Sequence, residues 1–288
     1  PDRMEAAALL GGAQVAGVTV SKALEQYWSL AADKTLGKSD DQLRRWRNPR
    51  IKAVRDFIDV VGDKPLHQIT PDDMLDFRQW LYERIEGGLS ANAANKDLIH
   101  LGDVLKTVNR MKRLGLDLPV SGLSFKEGEA RPRPPFSVGW ITDKLLAPGA
   151  LDGLNGEARA VVLAMVNTGA RPSELAALTP ECIRLDLDVP HISIEAVGRQ
   201  LKTVNAKRVI PLLGVSLEAL RAFPEGFPRY RGSSATLSGT VNKHLHGNGL
   251  LETDQHSLYG LRHSFEDRLL AAGVDERIRR DLFGHALK

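Results

Sequence analysis

Apolar side chains recur every three to four positions along most of residues 18–111, the spacing that places them on one face of an α-helix. Helix-starting residues divide this stretch into four predicted helices, which begin near Val18 and after Asn48-Pro49, Thr70 and Ser90. In the fourth helix the predicted core stripe is Leu98, Leu101, Leu105, Val108 and Met111. The pattern predicts an all-helical bundle over residues 1–116, with 1–17 as a candidate flexible arm.

The periodicity lapses at 117–136, a segment with one proline near its start and three close to its end. Proline favours extended backbone and interrupts regular patterns, so this segment is predicted to link two domains. The second domain would then cover residues 137–288.

The second domain mixes helical and alternating patterns. Residues 157–168 form an apolar helical stretch that ends at Gly169, and the last two helices are predicted to end at Gly273 and Gly284. Alternation predicts strands at 191–197, 201–203 and 207–212, the last two joined by a turn at 204–206. We therefore predict a mainly α protein, in which a helical bundle precedes an α+β domain with a small antiparallel sheet.

Composition narrows the class of protein. The chain of 288 residues is 42% hydrophobic and 26% charged, values typical of folded domains and not of disordered or collagen-like chains. Its one cysteine, Cys182, excludes a disulfide framework and a thiolate zinc site, and is compatible with a reducing compartment. No apolar run has the roughly 18 residues of a membrane span. We expect a cytoplasmic protein without membrane contact.

Cations are clustered although the formal net charge is only +3. One predicted helix and the residues just before it carry Arg44, Arg45, Arg47, Arg50, Lys52 and Arg55, and another carries Lys96, Lys106, Arg110, Lys112 and Arg113. One such cluster is typical of a solvated face. Two clusters on separate helices of one bundle favour a groove that binds a polyanion.

The string Thr168-Gly169-Ala170-Arg171-Pro172-Ser173-Glu174-Leu175 places Arg171 beside the predicted start of a helix. The helix dipole makes this an unfavourable place for a cation unless an anion binds there too. Backbone N–H groups and a guanidinium together would form a phosphate clamp. The alternative is a surface arginine with its head in water. Glu174 could orient Arg171 through an ion pair.

Three further strings carry candidate chemistry. The second string is His256-Ser257-Leu258-Tyr259-Gly260-Leu261-Arg262-His263-Ser264-Phe265. A helix here would project Tyr259 and Arg262 on one face, where the aliphatic part of an arginine usually packs on the tyrosine ring. In Leu282-Phe283-Gly284-His285 the glycine would turn His285 away from its helix, or the histidine would only cap the helix end. Lys202, close to a hairpin turn, is either solvated or placed to donate a proton.

In this order and spacing, the four strings resemble the tyrosine recombinase (phage integrase) family. TGARPSEL is similar to the family's first arginine box, LKTVNAKRVIPL to its β-hairpin with a lysine, and LYGLRHSF followed by LFGHA to its second arginine and final histidine boxes. The helical bundle resembles the family's core-binding domain, including SANAANKDL at the start of the long basic helix. The resemblance covers residues 18–288, and it is specific in the second domain and loose in the first.

The resemblance implies a role for each matching residue. Arg171 and Arg262 would hold the nonbridging oxygens of the phosphate at the cleavage site. Lys202 would protonate the 5′-oxygen leaving group, and His285 would hydrogen-bond the phosphate. Glu174 would support the first arginine box. In the core-binding domain the candidate DNA contacts are Arg44, Arg45, Arg47, Lys96, Lys106, Arg110, Lys112 and Arg113.

Two positions depart from the family pattern. The second box of the family is His-x-x-Arg, but here Tyr259 stands three residues before Arg262. A phenol with a pKa of about 10 moves protons poorly near neutral pH compared with imidazole. Either His256 or His263 takes over, or the step runs slower, or Tyr259 only positions a neighbour. The family's nucleophilic tyrosine follows the final histidine, where this sequence has none, so we expect the chain to stop short of it, to bind DNA and not to cleave it.

The first hypothesis for function is therefore a site-specific DNA recombinase or integrase, bacterial or phage-encoded and associated with the nucleoid. Its partners would be double-stranded DNA and further copies of itself, as a tetramer on two DNA sites. A covalent 3′-phosphotyrosyl intermediate would store the bond energy, so we expect no cofactor, ATP or divalent metal. The sequence agrees, since it has no GxxxxGK[ST] loop and no acidic cluster of the two-metal kind.

Two other hypotheses belong to different classes. A noncatalytic DNA-binding regulator on the same scaffold is favoured by Tyr259 and by the missing nucleophile. A metal hydrolase built on His256, His263 and His285 has little support, because no His-x₃-His spacing or carboxylate pairing accompanies these residues.

Overall fold

The computed structural model describes residues 17–129, 133–201 and 203–286. These residues divide into two compact units, each with its own hydrophobic core. The first unit contains the described residues 17–36 and 42–129, and the second contains 37–41, 133–201 and 203–286. The candidate arm at 1–17 lies outside the described residues except for Gly17.

The first unit is a bundle of four α-helices. They are α1 (Val20–Leu30), α2 (Asp40–Val61), α3 (Pro71–Glu86) and α4 (Ala91–Met111), with short 3₁₀ turns at Ala32–Thr35 and Leu66–Gln68. Tyr27, Phe57 and Phe77 are fully buried in its core, and the rings of Phe57 and Phe77 meet edge to face at 5.4 Å. Four residues of the predicted stripe on α4 are buried, but Met111 is 51% exposed because the helix ends there.

The predicted starts of α3 and α4 are confirmed. The Thr70 hydroxyl accepts a hydrogen bond from the Asp73 N–H, and the Asp73 carboxylate accepts one from the Thr70 N–H, which is a capping box. The Ser90 hydroxyl accepts from the Ala93 N–H at the start of α4. These caps satisfy N–H groups that have no partner within the helix.

The predicted helix start at Asn48-Pro49 is wrong. The helix begins at Asp40 and runs through Pro49, which lies inside it. The fixed φ of proline is compatible with a helix, and its costs are one missing N–H donor and crowding of the preceding turn. In the same turn, the Arg50 guanidinium donates a hydrogen bond of 2.7 Å to the carbonyl of Trp46. A proline motif that is typical of helix starts is therefore tolerated in mid-helix here.

The segment after α4 packs on the bundle instead of forming a free linker. The Asn109 side chain donates to the Leu116 carbonyl and accepts from the Leu116 N–H, at 2.7 and 3.0 Å. Asn95 makes the same pair of bonds with Phe125, at 3.0 and 2.8 Å. Each asparagine side-chain amide thus donates one hydrogen bond to a backbone residue and accepts one from it, as a neighbouring β-strand would. The part of the predicted 117–136 linker that precedes residue 130 consequently belongs to the first unit.

The second unit is built around α5 (Gly156–Thr168). The other helices are α6 (Pro172–Leu175), α7 (Gly214–Ala222), α8 (Ser234–Gly247), α9 (Gly260–Ala271) and α10 (Glu276–Phe283). A short turn of helix at Val138–Trp140 continues as a π-helical turn at Ile141–Leu145. Helices α7, α8 and α9 all pack against α5, whose Val161, Val162 and Met165 are buried. The one cysteine, Cys182, is 5% exposed and ends a 3₁₀ turn at Pro180–Cys182.

A three-stranded antiparallel sheet lies in the second unit. Its strands β1 (Ile183–Arg184), β2 (His191–Ile194) and β3 (Arg208–Pro211) occur in that order, and Ile192 pairs with both Ile183 and Ile210. The strand predicted at 201–203 is absent from the described residues there, and β1 was not predicted. The connection between β2 and β3 contains instead a 3₁₀ turn at Val204–Ala206, which keeps its backbone out of the ladder. The predicted fold class, mainly helical with a small antiparallel sheet, is confirmed.

Within the described part of the chain, no helix combines the length and the apolar character that crossing a membrane requires.

Candidate active site

Arg171 lies between α5 and α6, at a turn that only glycine fits. Gly169 ends α5 with φ of 56°, and a Cβ at that position would stand 2.8 Å from the rings of both Phe265 and Phe283. Arg171 follows two residues later as the N-cap of α6. The predicted helix start at Pro172 is confirmed, but α6 is only four residues long and its dipole is correspondingly small.

Glu174 is the common partner of two arginines. One of its oxygens accepts from Nη1 of Arg171 at 2.6 Å and from Nη1 of Arg208 at 3.1 Å. The other accepts from the Arg171 backbone N–H and from Nη2 of Arg208, both at 2.8 Å. Burial alone would raise the pKa of Glu174, but its bonds to Arg208 and then the charge of Arg171 outweigh burial and lower the pKa to about 2.

Arg208 is a site residue that the sequence analysis missed. It is 9% exposed, and beyond Glu174 it donates from Nε to the Leu282 carbonyl at 2.7 Å and from Nη1 to the Ala206 carbonyl at 2.9 Å. The available signal was its register, because Arg208 and Ile210 both point inward from β3. A charged residue at an inward position of an alternating strand needs a buried partner.

Arg262 is a buried cation with neutral partners only. It is 2% exposed and donates to the carbonyls of Gly169 and Phe283, at 2.7 and 2.6 Å, while its guanidinium lies 4.7 Å from the Phe283 ring centre. Burial, and secondly the charge of Arg171, lower the pKa of Arg262 to about 10, so it remains charged at neutral pH. The structure thus places Arg171 and Arg262 close enough for the charge of Arg171 to lower the pKa of Arg262.

His285 joins this cluster from the end of α10. Gly284 ends the helix with φ of 63°, and Nη2 of Arg262 lies 3.3 Å from Nε2 of His285. A guanidinium can only donate, so Nε2 accepts and the ring carries its proton on Nδ1. Burial, followed by the charge of Arg262, lowers the pKa of His285. An imidazole that is neutral at physiological pH therefore faces the arginines, with Nδ1–H available as a donor.

The three residues considered for the role of the missing histidine can now be placed. His256 has both ring nitrogens occupied, since Nδ1 accepts from the Thr253 N–H and Nε2 donates to the Pro135 carbonyl, each at 3.0 Å. It anchors the chain at Pro135 and is not available to a substrate. Tyr259 is the N-cap of α9, and its ring meets His263 edge to face at 5.3 Å. Tyr259 and His263 therefore form one pair beside Arg262.

Lys202 lies outside the described residues. The described chain on either side of it belongs to the connection between β2 and β3, which also contains the turn bonded to Arg208. As for metals, residues 17–129, 133–201 and 203–286 contain no group of three or more His, Cys, Asp and Glu side chains arranged to hold an ion.

The candidate DNA-contacting cations are all on the surface of the first unit. The exposed side chains are Arg44, Arg45 and Arg47 on α2, and Lys96, Lys106, Arg110, Lys112 and Arg113 along and just beyond α4. Lys96, Lys106 and Arg110 share one exposed strip of α4, since they are separated by multiples of three to four residues. Lys112 and Arg113 follow at the C-terminal end, where the helix dipole favours cations.

Three cations of the α2 cluster are engaged within the bundle. Arg50 donates to Asp103 at 2.8 Å, Lys52 reaches Asp97 at 2.7 Å, and Arg55 reaches Asp56 at 3.2 Å. Asp103 also accepts from Lys34 and Tyr27; burial would raise its pKa, but these bonds lower it to about 2. The first two ion pairs join α2 to α4, whereas Arg55 and Asp56 are neighbours on α2.

The same ion pairs show how the two cation clusters are related. Arg50 precedes Lys52 on α2, whereas their partners Asp103 and Asp97 occur in the reverse order on α4, so the two helices run antiparallel there. Moving back along α2 from Arg50 leads to Arg47 and Arg44, and moving forward along α4 from Asp103 leads to Lys106 and Arg110. These four exposed cations lie at the same end of the helix pair.

Comparison with curated proteins extends over both units. The tyrosine recombinase XerC of Rhizobium meliloti (strain 1021) is 26% identical over 254 residues, which cover 79% of this chain and 73% of that protein. The tyrosine recombinase XerD of Haemophilus influenzae is 24% identical over 278 residues, covering 91% and 87%. The chain is thus similar to tyrosine recombinases along both units. No family model matches it.

Solved structures share the fold of this chain. A lambda integrase tetramer bound to a Holliday junction has a TM-score of 0.69 at 19% identity, covering 100% of this chain and 82% of that chain. The Tn1549 transposon integrase in complex with a circular intermediate DNA has a TM-score of 0.63 at 17% identity, covering 94% and 92%. At these identities the likeness shows the fold, and the assignment of residues rests on the geometry above.

The chain has four tyrosines, and two of them belong to the first unit. Tyr27 is buried in the first unit, where it donates to Asp103, and Tyr82 lies on α3 of the same unit. Tyr230 is buried in the second unit and bonds to Asn155. Tyr259 precedes Arg262 by three residues at the start of α9.

Proposed function

We propose that this protein is a site-specific recombinase that breaks and rejoins double-stranded DNA through a 3′-phosphotyrosyl intermediate. The observation that carries the proposal is an imbalance of charge. Three guanidinium groups, those of Arg171, Arg208 and Arg262, share one carboxylate, that of Glu174. A buried cation without a counter-ion is costly, and an anion that enters the cluster removes that cost. A phosphodiester of the DNA backbone has the charge and the geometry for this role.

Arg171 and Arg262 are the groups that would bind the phosphate. Both present planar donors that stay charged, and the negative charge on the nonbridging oxygens grows as the phosphorus becomes five-coordinate. Donors that are already in place stabilise this state without reorganisation. His285, neutral and with its proton on Nδ1, would add one hydrogen bond to the same phosphate.

The bond changes balance without a cofactor. In the family pattern the nucleophile is a tyrosine that follows the final histidine, and it is none of the four tyrosines of these 288 residues. Its hydroxyl oxygen attacks the phosphorus and gives its proton to water, while the bond between phosphorus and the 5′-oxygen breaks. Lys202 supplies a proton to the departing 5′-oxygen, which leaves as a hydroxyl. A 5′-hydroxyl of another strand then attacks the 3′-phosphotyrosine and reverses the step. The phosphotyrosine ester replaces the broken phosphate ester. The bond energy is therefore retained in the covalent intermediate, and no nucleotide hydrolysis is required.

We propose that Tyr259 donates a hydrogen bond at the position where the family has histidine, and that it is not the nucleophile. Its ring packs on His263 at the start of α9, beside Arg262, which suits a donor to the bound phosphate. None of the other three tyrosines lies in the sequence strings that carry the candidate site residues. The 288 residues by themselves are therefore proposed to bind DNA and to leave it uncut.

The first unit supplies the proposed DNA surface, through the exposed cations of α2 and α4. Phosphate contacts of this kind set affinity and register, and their strength falls with salt. Four protomers on two DNA sites are the proposed working assembly, in line with the lambda integrase tetramer on its junction. A protein with this activity would be associated with the nucleoid.

The decisive experiment is covalent capture on DNA. Duplexes that bind the 288 residues are selected from a randomised library and nicked at successive phosphates of the selected site. They are then incubated in EDTA with the full-length protein, by which we mean the product of the complete gene. We expect a protein–DNA adduct that survives denaturation and contains phosphotyrosine. Tight binding without an adduct at any nick would contradict the proposal and would favour a noncatalytic regulator.

Replacing Arg171 tests the role of the cluster within this reaction. Arg171→Ala should lower adduct formation by about 10²-fold or more, because it removes a preformed donor to the developing charge. Duplex affinity should change little, since most phosphate contacts lie elsewhere. Arg221→Ala, which breaks an exposed ion pair with Glu218, is the matched control and should leave both quantities unchanged. Equal losses of affinity and of adduct would show that Arg171 is only a DNA contact.

A further inference from the structure

Arg208 lies behind the arginine cluster, at a point where three parts of the second unit meet. Its guanidinium bonds to Glu174 beside α6, to the Ala206 carbonyl in the connection between β2 and β3, and to the Leu282 carbonyl at the end of α10. The side chain is 4% exposed. It is therefore closed off from solvent and has no access to a DNA phosphate.

The partners of Arg208 are groups next to proposed catalytic residues. Ala206 follows Lys202 by four positions, Leu282 precedes His285 by three, and Glu174 holds Arg171 directly. The contact with α10 is tight, because a Cβ on Gly284 would stand 3.2 Å from Nη1 of Arg208 and 3.0 Å from the Asn205 carbonyl. A single buried side chain thus connects the segments that carry the proton donor, the histidine and the first arginine.

The contact of Arg208 with Glu174 is the chemically important one, because the carboxylate divides its charge between Arg208 and Arg171. Arg208 binds both oxygens of the carboxylate, whereas Arg171 reaches only one of them with its side chain. Without Arg208, the full charge of Glu174 would fall on Arg171, and an arginine paired in that way is a weaker ligand for phosphate. With Arg208 in place, the carboxylate orients Arg171 but leaves it a net positive partner for an incoming anion.

We propose that Arg208 is a positioning residue for the recombination reaction, which keeps Arg171 electrostatically free by sharing Glu174 with it. This inference rests on the proposed function, since it concerns the same phosphate site. Arg208 acts through Glu174 and does not touch the substrate. Its effect is therefore on the rate of the chemical step and not on DNA affinity.

The test separates the rate of adduct formation from its amplitude, using the full-length protein and a nicked duplex from the selection. In a single turnover at saturating DNA, the amplitude reports the fraction of folded enzyme and the rate constant reports the chemistry. Arg208→Gln should lower the rate constant at least about tenfold, which corresponds to about 1.4 kcal/mol of transition-state stabilisation. Arg208→Lys keeps the charge and should retain most of the rate.

The most discriminating variant removes the charge of Glu174 as well. In the double variant Glu174→Gln with Arg208→Gln, no carboxylate is left to neutralise Arg171, so the rate constant should exceed that of Arg208→Gln alone. Arg268→Gln is the matched control, because Arg268 is a half-buried arginine that donates to Val166 and Asn167 but not to Glu174. It should lower the amplitude at most and leave the rate constant unchanged.

The outcomes distinguish this inference from the proposed function. If the wild-type protein forms no adduct, the proposed function fails. If it forms an adduct but Arg208→Gln reacts at the wild-type rate, or Arg208→Lys is as slow as Arg208→Gln, or the double variant is no faster than the single one, the role of Arg208 is wrong and the recombinase stands.

Discussion

At the scale of single residues, the charges of the site meet at Glu174. Its carboxylate is 4% exposed and accepts hydrogen bonds from a backbone N–H and from two guanidinium groups. A buried carboxylate of this kind stabilises the fold only while it is ionised. Removing the carboxylate leaves Arg171 and Arg208 without their shared counter-ion. A buried charge that has lost its partner strongly destabilises the fold.

This arrangement predicts how stability depends on pH. The pKa of Glu174 is lowered from 4.5 to about 2, so its contribution is fully present above pH 4.5 and is lost as the pH falls through about 2. A shift of this size corresponds to about 3 kcal/mol. Urea unfolding of the wild type and of Glu174→Gln should therefore differ most above pH 5, and the two stabilities should converge towards pH 2. A difference that stays constant over this range would contradict the lowered pKa.

The candidate site could be predicted from sequence to the extent that its residues lie in short local motifs. Arg171, Glu174, Arg262 and His285 fall in such strings, and the structure brings them together. Arg208 could not be assigned in this way, because its partners are 34 and 74 residues away and only the folded chain defines them. An inward-facing charge on a strand signals that a partner exists, but not which one.

At the scale of elements, the C-terminal end of α10 holds the two buried arginines. Arg208 donates to the Leu282 carbonyl and Arg262 to the next one, that of Phe283. The carbonyl end of a helix carries partial negative charge, so it offsets part of the cost of burying these cations. Gly284 then ends the helix in the left-handed conformation, and His285 follows it next to Arg262. The end of this helix is therefore a structural part of the site.

Two glycines that follow helices provide a matched test of this close approach. Gly273 has φ of 71° and open space around a would-be Cβ, whereas Gly284 has φ of 63° and backbone atoms of Asn205 and Ala206 within 3.1 Å. Gly273→Ala should cost about 1 kcal/mol from the left-handed backbone alone. Gly284→Ala should cost about 1–3 kcal/mol more, because the turn must move away. Thermal or urea unfolding measures both.

The activities of the two glycine variants should also separate. Displacing the turn shifts both Arg208 and His285, so Gly284→Ala should slow adduct formation in the folded protein, while Gly273→Ala should not. Equal stabilities and equal rates for the two variants would show that the close approach at Gly284 is not important.

Element boundaries show why local signals were only partly sufficient. Thr70 and Ser90 determine helix starts because their hydroxyls satisfy N–H groups in the adjacent turn. Asn48-Pro49 carries the same kind of signal, yet the helix continues through it, since packing of α2 against the bundle outweighs one missing hydrogen bond. The segment at 201–203 alternates as a strand does, but alternation over three residues cannot specify a ladder.

At the scale of the molecule, the exposed cations of the first unit predict a strong salt dependence of DNA binding. Replacing Lys106 or Arg110 by alanine should weaken binding to selected and unrelated duplexes alike. Each replacement should reduce the slope of log K against log salt by about 0.9, because one DNA phosphate is no longer neutralised. Lys22→Ala, an exposed cation on α1, is the control and should leave the slope unchanged. Fluorescence anisotropy over a salt series measures it.

An unchanged slope in Lys106→Ala and Arg110→Ala together would place the DNA surface elsewhere.

The fold class and the family could be predicted from sequence, because both follow from periodicity and motifs along the chain. The sorting of cations into structural and exposed groups could not be predicted, since the partners lie on other helices: Asp103 and Asp97 pair with Arg50 and Lys52, whereas Arg47 packs over the Trp28 ring.

The burial of Cys182 makes the protein a convenient subject for optical work. A shielded thiol in apolar surroundings reacts slowly with maleimides, so the natural background of labelling should be low. Cysteines introduced at exposed positions, one in each unit, could then carry a donor and an acceptor dye. Energy transfer between them would follow the distance between the units in single molecules as DNA arrives and departs.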